Sequence, residues 1–243
     1  MRESLLTIPI NEVFEPNEEG EICGCPFCKM RNTVEQHICE YIMGAAMMEP
    51  DVRLETNKLG FCHRHFLDLL KQSNRLSLGL MLNSYLSGVR KDIFAKKGLL
   101  SALKPDKRTK KAAQIEETCF VCSKVNWGME HMVKTFFVMF KDDSQTAPKF
   151  RPLLQSQEFI CMPHYAWIRE KAHSALDKST LPVFLNVLDE LVGNYIETLN
   201  VDVDGFCNSF DYRNAGKLHT KEMEHVRTSV NRSITFLTGR EVE

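Results

Sequence analysis

The chain has 243 residues, 43% hydrophobic and 26% charged, enough for one large domain or two packed halves with an ordinary core. A formal net charge of -1 argues against nucleic acid as the main partner. No apolar run approaches the roughly 20 residues of a membrane span, and the opening MRESLLTIPINEVFEPNEEG lacks the apolar core and cleavage site of a signal peptide, so the expected location is the cytoplasm.

In chain order, residues 1–22 read as an acidic N-terminal segment. A first helical unit spans 23–97 and opens on CPFC, with Cys25 and Cys28 two intervening residues apart. Beyond it, Val34, Ile38, Ile42 and Ala45 recur at helical spacing. A helix of about twenty residues carries the chain roughly 30 Å. The stretch EPDVRLETNKLGF, with Pro50 and Gly60, reads as an extended return of thirteen residues. Its reach of at most about 45 Å suffices to bring Cys62 and His65 of GFCHRHF back to Cys25 and Cys28. Leu78, Leu82, Tyr85, Val89 and Ile93 then mark a long amphipathic helix.

Residues 98–118 form a basic linker carrying Lys104, Lys107, Arg108, Lys110 and Lys111, without the interleaved aromatic residues that would stack on bases. A second helical unit, 119–200, opens on CFVC, Cys119 and Cys122. Val125, Met129, Met132, Phe136 and Phe140 give one helix. A short helix around Phe150 to Leu154 follows, then CMPH with Cys161 and His164. Phe184, Val187, Leu188, Leu191, Tyr195 and Leu199 mark another long helix. The remainder, 201–243, reads as a turn holding Asp202 and Asp204, then a last helix with Met223, Val226, Val230 and Ile234. The two aspartates fail the EF-hand spacing. With no alternating strands in competition, the fold class is all-α, two pseudo-repeated helical units plus a C-terminal helix.

Nine cysteines in a reducing compartment point to metal or redox chemistry rather than disulfides. The order Cys-x-x-Cys then Cys-x-x-His occurs twice, with 33 and 38 intervening residues between half-motifs. Internal duplication is the economical explanation. It singles out His65 over His63, because Met162 stands where His63 does. Three thiolates and one imidazole are the usual donors of a closed structural zinc site, while an iron–sulfur cluster more often takes four cysteines. The expectation is two zinc ions per chain, one on Cys25, Cys28, Cys62 and His65, the other on Cys119, Cys122, Cys161 and His164, with an iron–sulfur cluster as the alternative.

Pro26 and Pro163 suit first-turn positions, so each metal should tie together two helix N-termini. Cys39 fits core packing. Cys23 has no counterpart in the second unit, where Glu117 stands, and is a candidate spare thiol for oxidation chemistry at the first site.

The stretches CPFC, MEPDVRLETNKLGFCHRHF, NRLSLGLMLNSYL and FDYRN together resemble an uncharacterised bacterial family of unknown function found mainly in Firmicutes. The resemblance runs from about Cys25 to the last helix and implies no activity. No phosphate loop, nucleophile elbow or His-Glu-x-x-His helix is present. The sequence therefore favours a zinc-stabilised helical scaffold that binds an unknown protein or small ligand, not an enzyme, with a thiol-based redox sensor or metalloenzyme at the first site as the competing reading.

Overall fold

The computed structural model describes residues 7–16, 24–94, 112–115, 117–141, 150–211 and 223–242, and among these there is no strand. The helices are α1 (Thr7–Phe14), α2 (Pro26–Met43), α3 (Pro50–Leu59), α4 (His63–Lys71), α5 (Arg75–Phe94), α6 (Phe120–Lys141), α7 (Phe150–Gln155), α8 (Met162–Ala175), α9 (Thr180–Ser209) and α10 (Glu224–Thr238), with a 3-10 turn at Ala45–Met48. The all-α reading holds. Most of the basic linker, Cys23, and Tyr212 to Asn214 of the FDYRN stretch lie outside the described residues.

The chain forms two compact units, one from 1–30 with 131–243, the other from 31–130. These units cut across the sequence-contiguous repeats, because each combines segments from both. Helices α2 and α6 each contribute residues to both units.

The larger unit is built on phenylalanine. Phe14, Phe27, Phe136, Phe140 and Phe184 are all fully buried. Phe14 packs edge-on against Phe27 at 5.7 Å and tilted against Phe150 at 5.1 Å. Phe136 meets both Phe27, at 5.2 Å, and Phe184, at 6.0 Å. Such offset and edge-on pairs add about 0.5–1.5 kcal/mol each beyond the burial of their area. Gln157 fastens α1 to this cluster by donating to the Phe14 carbonyl oxygen at 2.8 Å. Residues 7–14 of the expected acidic segment are thus a docked helix, with Ile10 and Phe14 wholly enclosed. Along the other flank, α9 packs against α10, α8 and α7.

Helix α9 runs for 30 residues, through the expected turn at 201–209. Asp202 lies on it, 5% exposed, and accepts from Arg232 of α10 at 2.9 Å. On α10 the buried residues are Val226, Ser229 and Phe236, while Val230 and Ile234 are largely exposed. The apolar spacing of 223–234 located this helix but misplaced its inner face, because the aromatic pocket of Phe159 and Tyr195 takes Phe236 instead.

In the smaller unit α3 and α4 pack on α5, around Met43, Met47, Leu69, Leu78 and Met81. The stretch read as an extended return is the 3-10 turn followed by α3. Pro50 starts α3 at its first position, and Gly60 ends it with φ 61 and ψ -155. That backbone conformation is open only to glycine. A Cβ there would also stand 2.5 Å from the Tyr85 hydroxyl.

Candidate metal centres

All four half-motifs have the same local structure. Cys62 and Cys161 are the N-caps of α4 and α8, and Cys25 and Cys119 stand directly before α2 and α6. The carbonyl of each starts its helix: Lys29, Phe66, Ser123 and Tyr165 donate their backbone N–H groups to Cys25, Cys62, Cys119 and Cys161 at 2.8–3.2 Å. The second donor of each motif, Cys28, His65, Cys122 or His164, then falls three residues on, in the first turn. This spacing turns it back beside the capping thiol. The partial positive charge of the helix start favours ionised sulfur there.

The structure pairs the half-motifs crosswise. One cluster holds Cys25, Cys28, Cys161 and His164; the other holds Cys62, His65, Cys119 and Cys122. In each, the four donor atoms lie within 4.8 Å of one another. The expected sets, Cys25 and Cys28 with Cys62 and His65, and Cys119 and Cys122 with Cys161 and His164, are therefore corrected. All eight residues converge, but each Cys-x-x-Cys meets the other unit's Cys-x-x-His.

The cause lies in the return segment. Eighteen residues of α2 rise about 27 Å, whereas the ten of α3 recover only about 15 Å, less than half of what ten extended residues would cover. Cys62 is not carried back to Cys25. It meets Cys119 instead, held by two hydrogen bonds between the approach loops, from Phe120 N–H to the Gly60 carbonyl at 2.9 Å and from the Thr118 hydroxyl to the Leu59 carbonyl at 2.7 Å.

The terminal centre, which joins Cys25 and Cys28 to Cys161 and His164, sits wholly in the larger unit. His164 directs Nδ1 at all three sulfurs, 3.2 Å from Cys161, 3.4 Å from Cys28 and 3.6 Å from Cys25. Cys28 and Cys161 sulfurs are 3.6 Å apart. The chain after α10 closes over them. Gly239 turns with φ 66, its carbonyl oxygen is 3.6 Å from Cys28 Sγ, and a Cβ there would lie 3.0 Å from Cys161 Sγ. The imidazole is bracketed by the rings of Phe27 and Trp167, at 5.8 and 6.0 Å.

The middle centre lies wholly in the smaller unit. His65 Nδ1 is 3.1, 3.2 and 3.4 Å from the sulfurs of Cys62, Cys119 and Cys122, and Cys62 and Cys122 are 4.0 Å apart. Its other nitrogen, Nε2, is 2.7 Å from Glu35 Oε1, and Arg64 holds the second carboxylate oxygen. His63, one helix position before Arg64, is exposed to solvent, as the comparison of the two motifs implies.

These distances suit a tetrahedral ion. Zinc bonds of about 2.3 Å to sulfur and 2.0–2.1 Å to nitrogen give edges near 3.8 Å between sulfurs and 3.5 Å from sulfur to nitrogen. Proton energetics support the same conclusion. Burial pushes Cys119 up, but hydrogen bonds from His65 and from the Cys122 backbone outweigh it and hold the thiol at about 6. Burial and that neighbouring negative sulfur then push Cys122 up to about 12. In the terminal centre, burial likewise opposes ionisation of Cys25, and hydrogen bonds from Cys161, Cys28 and His164 bring it well below the ordinary thiol value. Hydrogen bonding to Cys25 is the largest cause of the rise of Cys161 to about 12, and hydrogen bonding to Cys161 and Cys25 pushes Cys28 up. The terminal cluster thus stabilises one thiolate at the expense of Cys28 and Cys161, and the middle cluster stabilises that of Cys119 at the expense of Cys122. A bound dication is the species that lets all three ionise together.

Cys39 is buried in the smaller unit, its thiol pushed up to about 11 mainly by desolvation, which fits a packing role. Cys207 is exposed on α9. Glu35 and Gly239 were not singled out from the sequence. The signal for Glu35 was there: a carboxylate on α2 in line with the buried Cys39 and Ile42 needs a buried partner.

Fold and site together define an all-helical protein with two Cys/His clusters able to hold metal ions. The chain belongs to the DUF6062 family, a family of unknown function, whose profile matches residues 1–243. No curated protein and no solved structure matches it.

Proposed function

We propose that this protein is a zinc-stabilised helical scaffold that binds another protein or a small ligand, with one structural zinc ion in each of two Cys3His centres. One observation carries the reading: both clusters are closed, each with four donors facing one point at tetrahedral spacing, and half of the donor residues buried. Structural zinc sites use four protein donors, whereas catalytic ones keep a position open. Each ion would join chain segments far apart in sequence, from 28 to 161 and from 65 to 119. The net charge of -1 supports a partner other than nucleic acid, and no helix among the described residues is long and apolar enough to cross a membrane.

Elemental analysis and an absorption spectrum of protein purified without oxygen test this. Two zinc ions per colourless chain are expected. Brown protein with iron and sulfide would replace the scaffold reading with an iron–sulfur one, and absence of bound metal would end both.

A further inference from the structure

The two histidines present the same Nδ1 atom to three sulfurs, but what lies behind them differs. An imidazole that gives Nδ1 to a metal must carry its proton on Nε2. Behind His65 that N–H points at a carboxylate, Glu35 Oε1, at 2.7 Å. Glu35 is 7% exposed and His65 1%, so the pair is shielded from water. Arg64 and, at longer range, Arg31 face the same carboxylate, and Arg64 also reaches Asp68 at 3.7 Å. Behind His164 there is no carboxylate among the described residues; its ring neighbours are Phe27 and Trp167. The sequence carries the same asymmetry. Seven residues beyond Cys28 stands Glu35, and seven beyond Cys122 stands Met129, a buried side chain that can accept no comparable hydrogen bond.

Resting on the metal reading above, we infer that Glu35 is a positioning residue for the middle centre: it fixes the Nε2–H tautomer and the ring orientation of His65, and so strengthens metal retention there and not at the terminal centre. Carboxylates that hold a ligating histidine raise its basicity, and losing one typically costs 10–100-fold in metal affinity. Arg64 completes the device by occupying the second carboxylate oxygen, which leaves Oε1 committed to the imidazole.

The full chain, loaded with zinc alone, is titrated with a chelator while exposed thiols are alkylated and located by mass spectrometry. Cys62, Cys119 and Cys122 report the middle centre; Cys25, Cys28 and Cys161 report the other. In Glu35→Ala the middle thiols should become reactive at 10–100-fold lower chelator, with the terminal thiols unchanged. Glu35→Gln, which keeps an acceptor oxygen without the charge, should restore part of the protection; this variant carries the test if Glu35→Ala does not fold. The nitrogen-15 shifts of His65 should show one tautomer in the parent chain and tautomer mixing in metal-free Glu35→Ala. Protection of the middle thiols equal to the parent in both variants, or equal losses at both centres, overturns the assignment of Glu35. A parent chain that holds no zinc overturns instead the metal reading on which it rests.

Discussion

The terminal and middle centres use the same four donor types on the same cap-and-first-turn geometry, yet they are supported differently. The terminal centre is enclosed by side chains with no charge, the rings of Phe27 and Trp167, and by the backbone of Gly239. The middle centre is backed by an ionic pair, Glu35 with Arg64, and by two hydrogen bonds between its approach loops, one backbone to backbone and one from the Thr118 hydroxyl. The difference shows that the motif alone builds the donor set. What surrounds the motif decides which chemistry or mutation disturbs it.

The largest effects should come from the ligands themselves. Structural zinc contributes on the order of 10 kcal/mol of apparent binding energy to folding. His164→Ala should remove one zinc and expose the amides of the larger unit to hydrogen exchange, and His65→Ala should do the same for the smaller unit. Either should cost more than about 3 kcal/mol, a fall in Tm of roughly 10 °C for a chain of this size. Equal exchange in both units after either substitution would dissolve the division between centres.

Phe14→Ala comes next, because it empties the middle of the larger unit's aromatic cluster. A loss of about 3–5 kcal/mol is expected by denaturant unfolding. An effect below about 1 kcal/mol would show that α1 is not docked as described.

Two glycines sharpen the contrast at smaller cost. Gly60→Ala forces a glycine-only conformation and a clash with Tyr85, and should cost about 1–3 kcal/mol. Gly239→Ala adopts the left-handed region with a smaller penalty of about 1–2 kcal/mol, but its Cβ presses on Cys161 Sγ. Thiol alkylation should then find the terminal centre loosened and the middle one intact. His63→Ala, at an exposed position, should change stability by less than about 0.5 kcal/mol and leave the zinc content at the parent value.

The helical class and the eight cysteine and histidine residues that cluster were legible in the sequence, because a spaced pair of half-motifs occurring twice constrains chemistry strongly. Their partners were not. Chain reach permits Cys62 to return to Cys25 only if EPDVRLETNKLGF is extended, whereas Pro50, placed within that expected return, is the first residue of α3. The docking of α1 escaped notice because its acidic surroundings obscure a single inward stripe ending in Ile10 and Phe14. The continuation of α9 past Leu199 was hidden by Asp202 and Asp204, and the pairing of Asp202 with Arg232, with His225 at its other oxygen, accounts for a carboxylate inside a helix packing. In each case the missing information was a tertiary partner, which local periodicity does not contain.

The crosswise pairing of the half-motifs is tested most directly by counting metal in two double variants with native mass spectrometry. Cys28→Ser with Cys161→Ser damages one centre twice and should leave one zinc bound per chain. Cys28→Ser with Cys62→Ser damages both centres and should leave none. The reverse outcome, one zinc retained by the Cys28/Cys62 variant and none by the Cys28/Cys161 variant, would mean that each repeat closes on its own ligands and would contradict the arrangement described.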